Sequence, residues 1–221
     1  MDRTPTRSPS LPVLLLANGE PPPRPFLRRL RHACGMFIAA DGGANAALRA
    51  GLRPDVIIGD LDSLRPATRR AFRTSLLLRV RRQDNTDLEK ALDYVTALGA
   101  RRVVVAGITG RRIDFTLGNL SVLWKYTAAL DIIVAGDGWE AFPAGRRRTV
   151  RARKGTTVSL VPFGPCGGIT LRGLRYPLTN ASMKVGEIAV SNVVVRSPFS
   201  VAVRRGRMLI IVFSRGNRAR R

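Results

Sequence analysis

Short apolar runs alternate with longer amphipathic stretches from Val13 to Ala135. The runs Val13–Ala17, Met36–Ala40, Val56–Ile58, Leu76–Val80, Arg102–Ala106 and Asp131–Ala135 are rich in Val, Ile, Leu and Ala and are bounded by Gly, Asp or Pro. Runs of that kind predict strands buried on both faces. Between them, Pro25–Ala33, Ala44–Ala50, Pro66–Thr74, Thr86–Leu98 and Ile113–Ala129 predict helices. The fourth is the best defined. Asn85 or Thr86 can cap it, Asp87 and Glu89 suit its positive first turn, Leu88, Leu92 and Val95 line one face, and Gly99 stops it.

This alternation predicts a Rossmann-like, mostly parallel sheet with helices on both faces. After Gly136 the pattern changes. Trp139–Pro143, Arg148–Arg153, Thr156–Pro162, Gly168–Leu171, Glu187–Val195, Ser200–Arg204 and Arg207–Phe213 are short, β-rich and broken by Gly and Pro. They predict an antiparallel β-sandwich. The expected organisation is an N-terminal tail over 1–11, an α/β domain over 12–138, a β domain over 139–214 and an Arg-rich tail over 215–221.

Composition refines this picture more than it directs it. The 221 residues carry 38 Lys+Arg against 15 Asp+Glu, a formal net charge of +23. Such a charge favours contact with phosphate. However, Lys occurs only at 90, 125, 154 and 184, and the Arg are dispersed apart from Arg146–Arg148 and the tail. A solvated basic surface accounts for most of it, and no specific nucleic-acid partner is expected. Carboxylates are more informative: eight of the 15 lie between Asp41 and Asp93, whereas 149–221 holds Glu187 alone. Cys34 and Cys166 stand far apart with His32 as the lone histidine, which excludes a usual zinc site and a disulfide framework. No run has the length of a membrane span. The start superficially resembles a signal peptide, but Pro12 interrupts its short apolar stretch, which reads better as a first strand; a cytoplasmic protein is expected.

Four segments at strand ends could carry chemistry. Asp41-Gly42-Gly43-Ala44-Asn45 opens a helix, and its glycines suit either close approach to a phosphate or a tight turn. Pro54-Asp55-Val56-Ile57-Ile58-Gly59-Asp60-Leu61-Asp62-Ser63 presents paired carboxylates that a hard cation such as Mg²⁺ would neutralise; solvated capping residues are the alternative. Gln83-Asp84-Asn85-Thr86-Asp87 places Asp87 in a first helical turn, as a further metal ligand or a cap. Gly107-Ile108-Thr109-Gly110-Arg111-Arg112-Ile113-Asp114 sets two arginines before a helix, where they match phosphate oxygens or face solvent. Carboxylates, glycines and Arg on one sheet edge together suit transfer of a phosphoryl-type group from a metal–nucleotide complex.

The motifs DGGAN, PDVIIGDLDS, QDNTDLEKA and GITGRRIDFTLGNL, followed by GLRYPL and SN, resemble the thiamine pyrophosphokinase family from residue 12 to about 213. The resemblance implies an ATP-dependent enzyme that makes thiamine diphosphate and AMP. It implies Mg²⁺ on Asp60, Asp62 and Asp87, and nucleotide contacts from Asp41, Gly42, Gly43, Asn45, Arg112 and Asp114. Thiamine contacts are implied for Gln83, Tyr176, Ser191 and Asn192, in a homodimer whose acceptor site lies between subunits. Arg112 is expected to stabilise the leaving group, and Asp84 or Asp114 to accept the hydroxyl proton. Three positions depart from the family pattern: Arg111 for Gly, Phe115 for His and Ala189 for Ser. Two other readings remain open, a pyrophosphokinase for another hydroxymethyl heterocycle such as a pterin, and a non-catalytic basic nucleotide- or RNA-binding protein.

Overall fold

A computed structural model describes residues 11–81, 84–145, 147–187 and 189–214, so most of the expected tails and Gln83 lie outside the described residues. The chain divides into two compact units, Met1–Asp137 and Gly138–Arg221.

The first unit runs β1 (Val13–Leu16), α1 (Arg24–Ala33), β2 (Met36–Ala40), α2 (Gly43–Ala50), β3 (Val56–Gly59), α3 (Pro66–Ala71), β4 (Leu76–Arg79), α4 (Asp87–Ala97), β5 (Arg102–Ala106), α5 (Ile113–Val122), a 3₁₀ turn over Leu123–Lys125, and β6 (Asp131–Gly136). Its strands lie in the order β6-β5-β1-β2-β3-β4, and every pairing among them is parallel. The inner strands β1, β2 and β3 are apolar throughout because helices cover them, and Leu14, Leu16, Phe37, Ala39 and Ile57 are completely buried. The direction of winding reverses between β1 and β5. At such a switch point the connections run on to neighbours on opposite sides, and a crevice opens at the strand C-termini.

Two helices differ from expectation. The third stops at Ala71 because Phe72 turns into the core, 5% exposed, and its carbonyl accepts from the Ser75 N–H. The fifth stops at Val122 rather than Ala129. Its apolar residues do not follow a helical period, and beyond it Tyr126 is drawn aside: its hydroxyl donates to the Glu89 carbonyl (3.2 Å) and Asp93 Oδ1 (2.8 Å).

The second unit contains β7 (Trp139–Pro143), β8 (Arg148–Val150), β9 (Thr157–Pro162), β10 (Cys166–Arg172), β11 (Leu178–Met183), β12 (Ala189–Val193), β13 (Phe199–Ala202) and β14 (Met208–Phe213). They form antiparallel groups ordered β12-β9-β14-β7 and β11-β10-β13-β8. Phe142, Leu160 and Ile210 from one meet Ile169, Leu171 and Phe199 from the other in a shared core, as a sandwich requires. A Leu→Ala change in either core would cost about 2–5 kcal/mol. The expected fold class, a parallel α/β part followed by an antiparallel β part, is therefore the one found. β11 was not anticipated. It is an edge strand whose sequence, LTNASM, has mostly polar or small residues and is bent at Asn180 (φ 52°), so it lacks the apolar alternation that marks a strand.

Candidate active site

Three loops at the strand C-termini close on one another around the switch point. After β1 the chain is tied to the loop after β5: Ala17 N–H donates to Ala106 O (2.9 Å), Gly19 to Gly107 O (2.7 Å) and Glu20 to Thr109 O (2.9 Å). After β2, Gly43 starts α2 so close to β1 that a Cβ there would lie 2.3 Å from the Leu16 carbonyl, and one on Gly42 would meet the Asn18 amide at 2.4 Å. The loops bound a cleft of about 390 Å³ that includes Asn18, Asp41, Asp87, Arg111, Arg112 and Phe115. Asn18 and Gly19 were not among the residues picked from the sequence. The signal is present in the sequence as Asn18-Gly19 just after the first apolar run.

Carboxylates converge at one end of the cleft. Oxygens of Asp41, Asp60 and Asp87 lie within 4.8 Å of one another. Gly59 makes this possible, since a Cβ at its position would sit 2.9 Å from the Asp41 Cβ and 3.1 Å from Asp87 Oδ1, at a φ of +154°. Asp41 is 1% exposed, and among the described residues its Oδ1 has no hydrogen-bond partner. Burial raises its pKa above the ordinary carboxylate value, against the opposing bonds from Ser63 and the Gly42 N–H; the nearby charges of Asp87 and Asp62 add to the rise. An enclosed carboxylate with an unused lone pair beside two others fits a hard divalent cation.

The trio differs from the set expected from the sequence. Asp41, expected beside the nucleotide, joins Asp60 and Asp87, whereas Asp62 is outside the trio. Asp62 is exposed; its N–H donates to Asp60 Oδ1 (3.2 Å) and its carboxylate accepts from the Ser63 hydroxyl (3.0 Å).

Asp87 is presented by a well-made helix start. Thr86 and Glu89 form a reciprocal capping box, and Glu89 also accepts from Lys125 Nζ at 2.6 Å. Burial alone would raise the Glu89 pKa, but the Lys125 and Thr86 hydrogen bonds outweigh it and hold the group below its ordinary value. Asp84 lies exposed before that helix. Arg112, which lines the same cleft, forms a two-point pair with Asp114, Nε–Oδ1 3.1 Å and Nη2–Oδ2 2.5 Å, with the guanidinium 4.4 Å from the Phe115 ring centroid. The Arg112 hydrogen bond lowers the Asp114 pKa and raises that of Arg112. Arg111 adopts φ +58°, directly after Gly110 at φ +80°, a conformation that explains why a glycine suits its place.

Other expected ligands are engaged in holding backbone. The Asn45 amide donates to Ser63 O (2.8 Å), and its Oδ1 accepts from the Arg65 N–H (3.1 Å) and the Thr68 hydroxyl (2.7 Å), pinning the carboxylate loop to α2. In the second unit Asn192 is 3% exposed; it donates to Tyr176 O (2.8 Å) and accepts from the Tyr176 and Val193 N–H groups (3.0 and 2.9 Å). Tyr176 itself is 64% exposed, and Ser191 is exposed at φ +60°. Both cysteines are free and buried.

Residues 27–134 match the model of the thiamin pyrophosphokinase catalytic domain, and 147–208 that of the thiamin pyrophosphokinase vitamin B1 binding domain. The chain is 30% identical to thiamine pyrophosphokinase 1 of Oryza sativa subsp. japonica over 188 residues, 71% of each protein. It is 28% identical to thiamine pyrophosphokinase of Bacillus subtilis over 184 residues, 80% of this chain and 86% of the relative. The crystal structure of thiamin pyrophosphokinase from Geobacillus thermodenitrificans superposes with a TM-score of 0.78 at 27% identity, covering 93% of this chain and 98% of that one. The chain belongs to the thiamine pyrophosphokinase family.

Proposed function

We propose that this protein transfers the terminal pyrophosphoryl group of ATP to the hydroxyl of thiamine, yielding thiamine diphosphate and AMP. The observation that carries the reading is the buried Asp41 carboxylate, one oxygen of which has no partner among the described residues, grouped with Asp60 and Asp87 at a cleft that Arg112 also lines, in a chain matching both family domains. Asp41, Asp60 and Asp87 would hold Mg²⁺, with Asp62 beside them, and a bound cation supplies charge neutralisation for the phosphates and the departing AMP.

The protein's own groups do the rest. Backbone N–H groups of the glycine-lined loops and the start of α2 favour phosphate oxygens. Arg112, already oriented by Asp114 and Phe115, meets the charge that develops as the bond between the β-phosphorus and its bridge to the α-phosphate breaks. The thiamine oxygen forms the new bond to the β-phosphorus and gives up its proton. Asp114 is a weak acceptor while Arg112 holds its pKa down, and Asp84 is the other candidate base. The exposed Tyr176 ring suits the permanently cationic thiazolium, and Ser191 and Gln83 complete the acceptor contacts. Asn192 then serves by shaping the Tyr176 loop. A homodimer, in which the β part of one subunit serves its partner's cleft, and a cytoplasmic setting are parts of the same reading. Among the described residues no helix is long and apolar enough to cross a membrane.

The test is AMP release measured with and without thiamine and with and without Mg²⁺. The reading requires AMP only when both are present. Turnover with a hydroxymethylpterin in place of thiamine would transfer the assignment to another acceptor. Absence of AMP under every metal would end the enzymatic reading.

A further inference from the structure

Lys90 is 5% exposed, yet it carries an ammonium. A lysine so enclosed requires a partner for the hydration it has lost. Its partner is Asp87: Nζ lies 2.9 Å from Oδ1, across one turn of α4. Asp87 is in turn a member of the carboxylate trio, so Lys90 reaches the trio through Asp87. The neighbouring acid does not compete for it. Glu89 is committed to Lys125 and to the Thr86 cap, which leaves Lys90 to Asp87.

The physical problem this arrangement addresses is the state before a cation binds. Three carboxylates within 4.8 Å, one of them buried with an unpartnered oxygen, repel one another. An ammonium fixed on the third lowers that repulsion and holds the Asp87 side chain beside the other two. The same charge opposes a divalent ion arriving nearby. We propose that Lys90 is a positioning residue that acts as the resident counter-ion of the carboxylate trio. It keeps Asp87 in place in the unloaded protein and keeps the cation weakly held, so that the ion can exchange with each nucleotide. This inference rests on the cation site proposed above.

The experiment uses the purified full chain as wild type, Lys90→Met, Lys90→Gln, Lys90→Arg, Asp87→Asn and the Lys90→Met/Asp87→Asn double variant. Thermal melts are taken after chelation, and Mn²⁺ binding is followed by the electron paramagnetic resonance of the free ion. Chelated Lys90→Met should melt several degrees below wild type, Lys90→Arg should recover most of the loss, and the loss should largely vanish in the Asp87→Asn background. Lys90→Met should bind Mn²⁺ about tenfold more tightly, as expected when a unit positive charge is removed from close to the ion, and should gain more thermal stability from it than wild type does. Equal penalties in both backgrounds with unchanged Mn²⁺ affinity would reduce Lys90 to a space-filling role and overturn the proposal. If Lys90→Met folds only with Mn²⁺ present, the proposal is supported. If it does not fold at all, the Mn²⁺ affinity of Lys90→Gln decides: tighter than wild type supports it and equal overturns it. A wild-type chain that binds no Mn²⁺ would remove the cation site itself and this inference with it, a result distinct from Mn²⁺ binding that is indifferent to Lys90.

Discussion

The acidic cleft of the first unit and the Tyr176–Asn192 segment of the second treat their polar side chains in opposite ways. In the cleft, Asp41 is buried and one of its oxygens is left unused. In the second unit, Asn192 is equally enclosed but fully engaged, with both ends of its amide bonded to neighbouring backbone. Stability selects the second arrangement, because a buried polar atom without a partner costs about 1–3 kcal/mol. The first persists where something absent from the chain completes it. The contrast separates residues that bind from residues that shape, even when both occupy a recognised motif.

The largest effect should come from the cleft. Asp60→Asn should lower turnover by more than about a hundredfold, since even outer-shell partners of a metal are worth 10–100-fold, while leaving the melting temperature close to wild type. Full activity in this variant would break the comparison at its base. Asp41→Asn should also abolish turnover, yet stabilise the fold. Its carboxyl pKa is raised in the folded protein, so the stabilising contribution is complete below the ordinary carboxylate range and is lost as pH rises through the raised value. At neutral pH the amide escapes that loss. The variant should melt about 2–4 °C higher for each kcal/mol recovered, and the fall in stability of wild type between acid and neutral pH should flatten. Melting curves across pH in chelator check this.

Asn192→Ala makes the reverse prediction. It should unfold more easily by about 2–3 kcal/mol, because the Tyr176 and Val193 backbone groups lose their partner in a buried place. Its effect on thiamine should appear as a higher KM with kcat largely kept. Tyr176→Ala, at an exposed position, should leave stability within about 0.5 kcal/mol and raise the thiamine KM alone. If Asn192→Ala melted normally and lost only kcat, the distinction between binding and shaping would fail there.

How much of this could be read from the chain follows the same division. The parallel strands were legible because each is built on a short run of apolar residues, and α4 because Thr86, Asp87, Glu89 and Gly99 mark its ends. β11 was hidden because an edge strand needs no apolar face, and the end of α5 because what stops it is a long-range bond from Tyr126 to Asp93. At the site, the carboxylates were visible as a cluster in an otherwise basic chain. Their grouping was not. Asp41 stands 19 positions before Asp60, and only the parallel pairing of β2 with β3, together with the room left by Gly59, brings them together. The engagement of Asn45 and Asn192 was equally invisible, since a motif records which residue is present and not which atoms remain free.

The smallest effect concerns Arg111, where the chain departs from its family. The residue sits at φ +58° and its Nη1 lies 3.4 Å from the Asn18 carbonyl. A non-glycine residue in this conformation costs about 1–2 kcal/mol. Glycine would remove that strain but would lose more conformational freedom on folding, at about 0.5–1 kcal/mol. The two nearly cancel, so Arg111→Gly should move the melting point by no more than a few degrees. Its informative readout is kinetic. If Arg111 supplies a cation to the phosphates, the ATP KM should rise severalfold and the rise should shrink at high salt, where exposed charges are screened. If its side chain instead hinders backbone approach to the phosphates, the KM should fall and salt should not matter. The exposed guanidinium bonded to the loop after β1 favours the first outcome, because it is already held at the rim of the cleft.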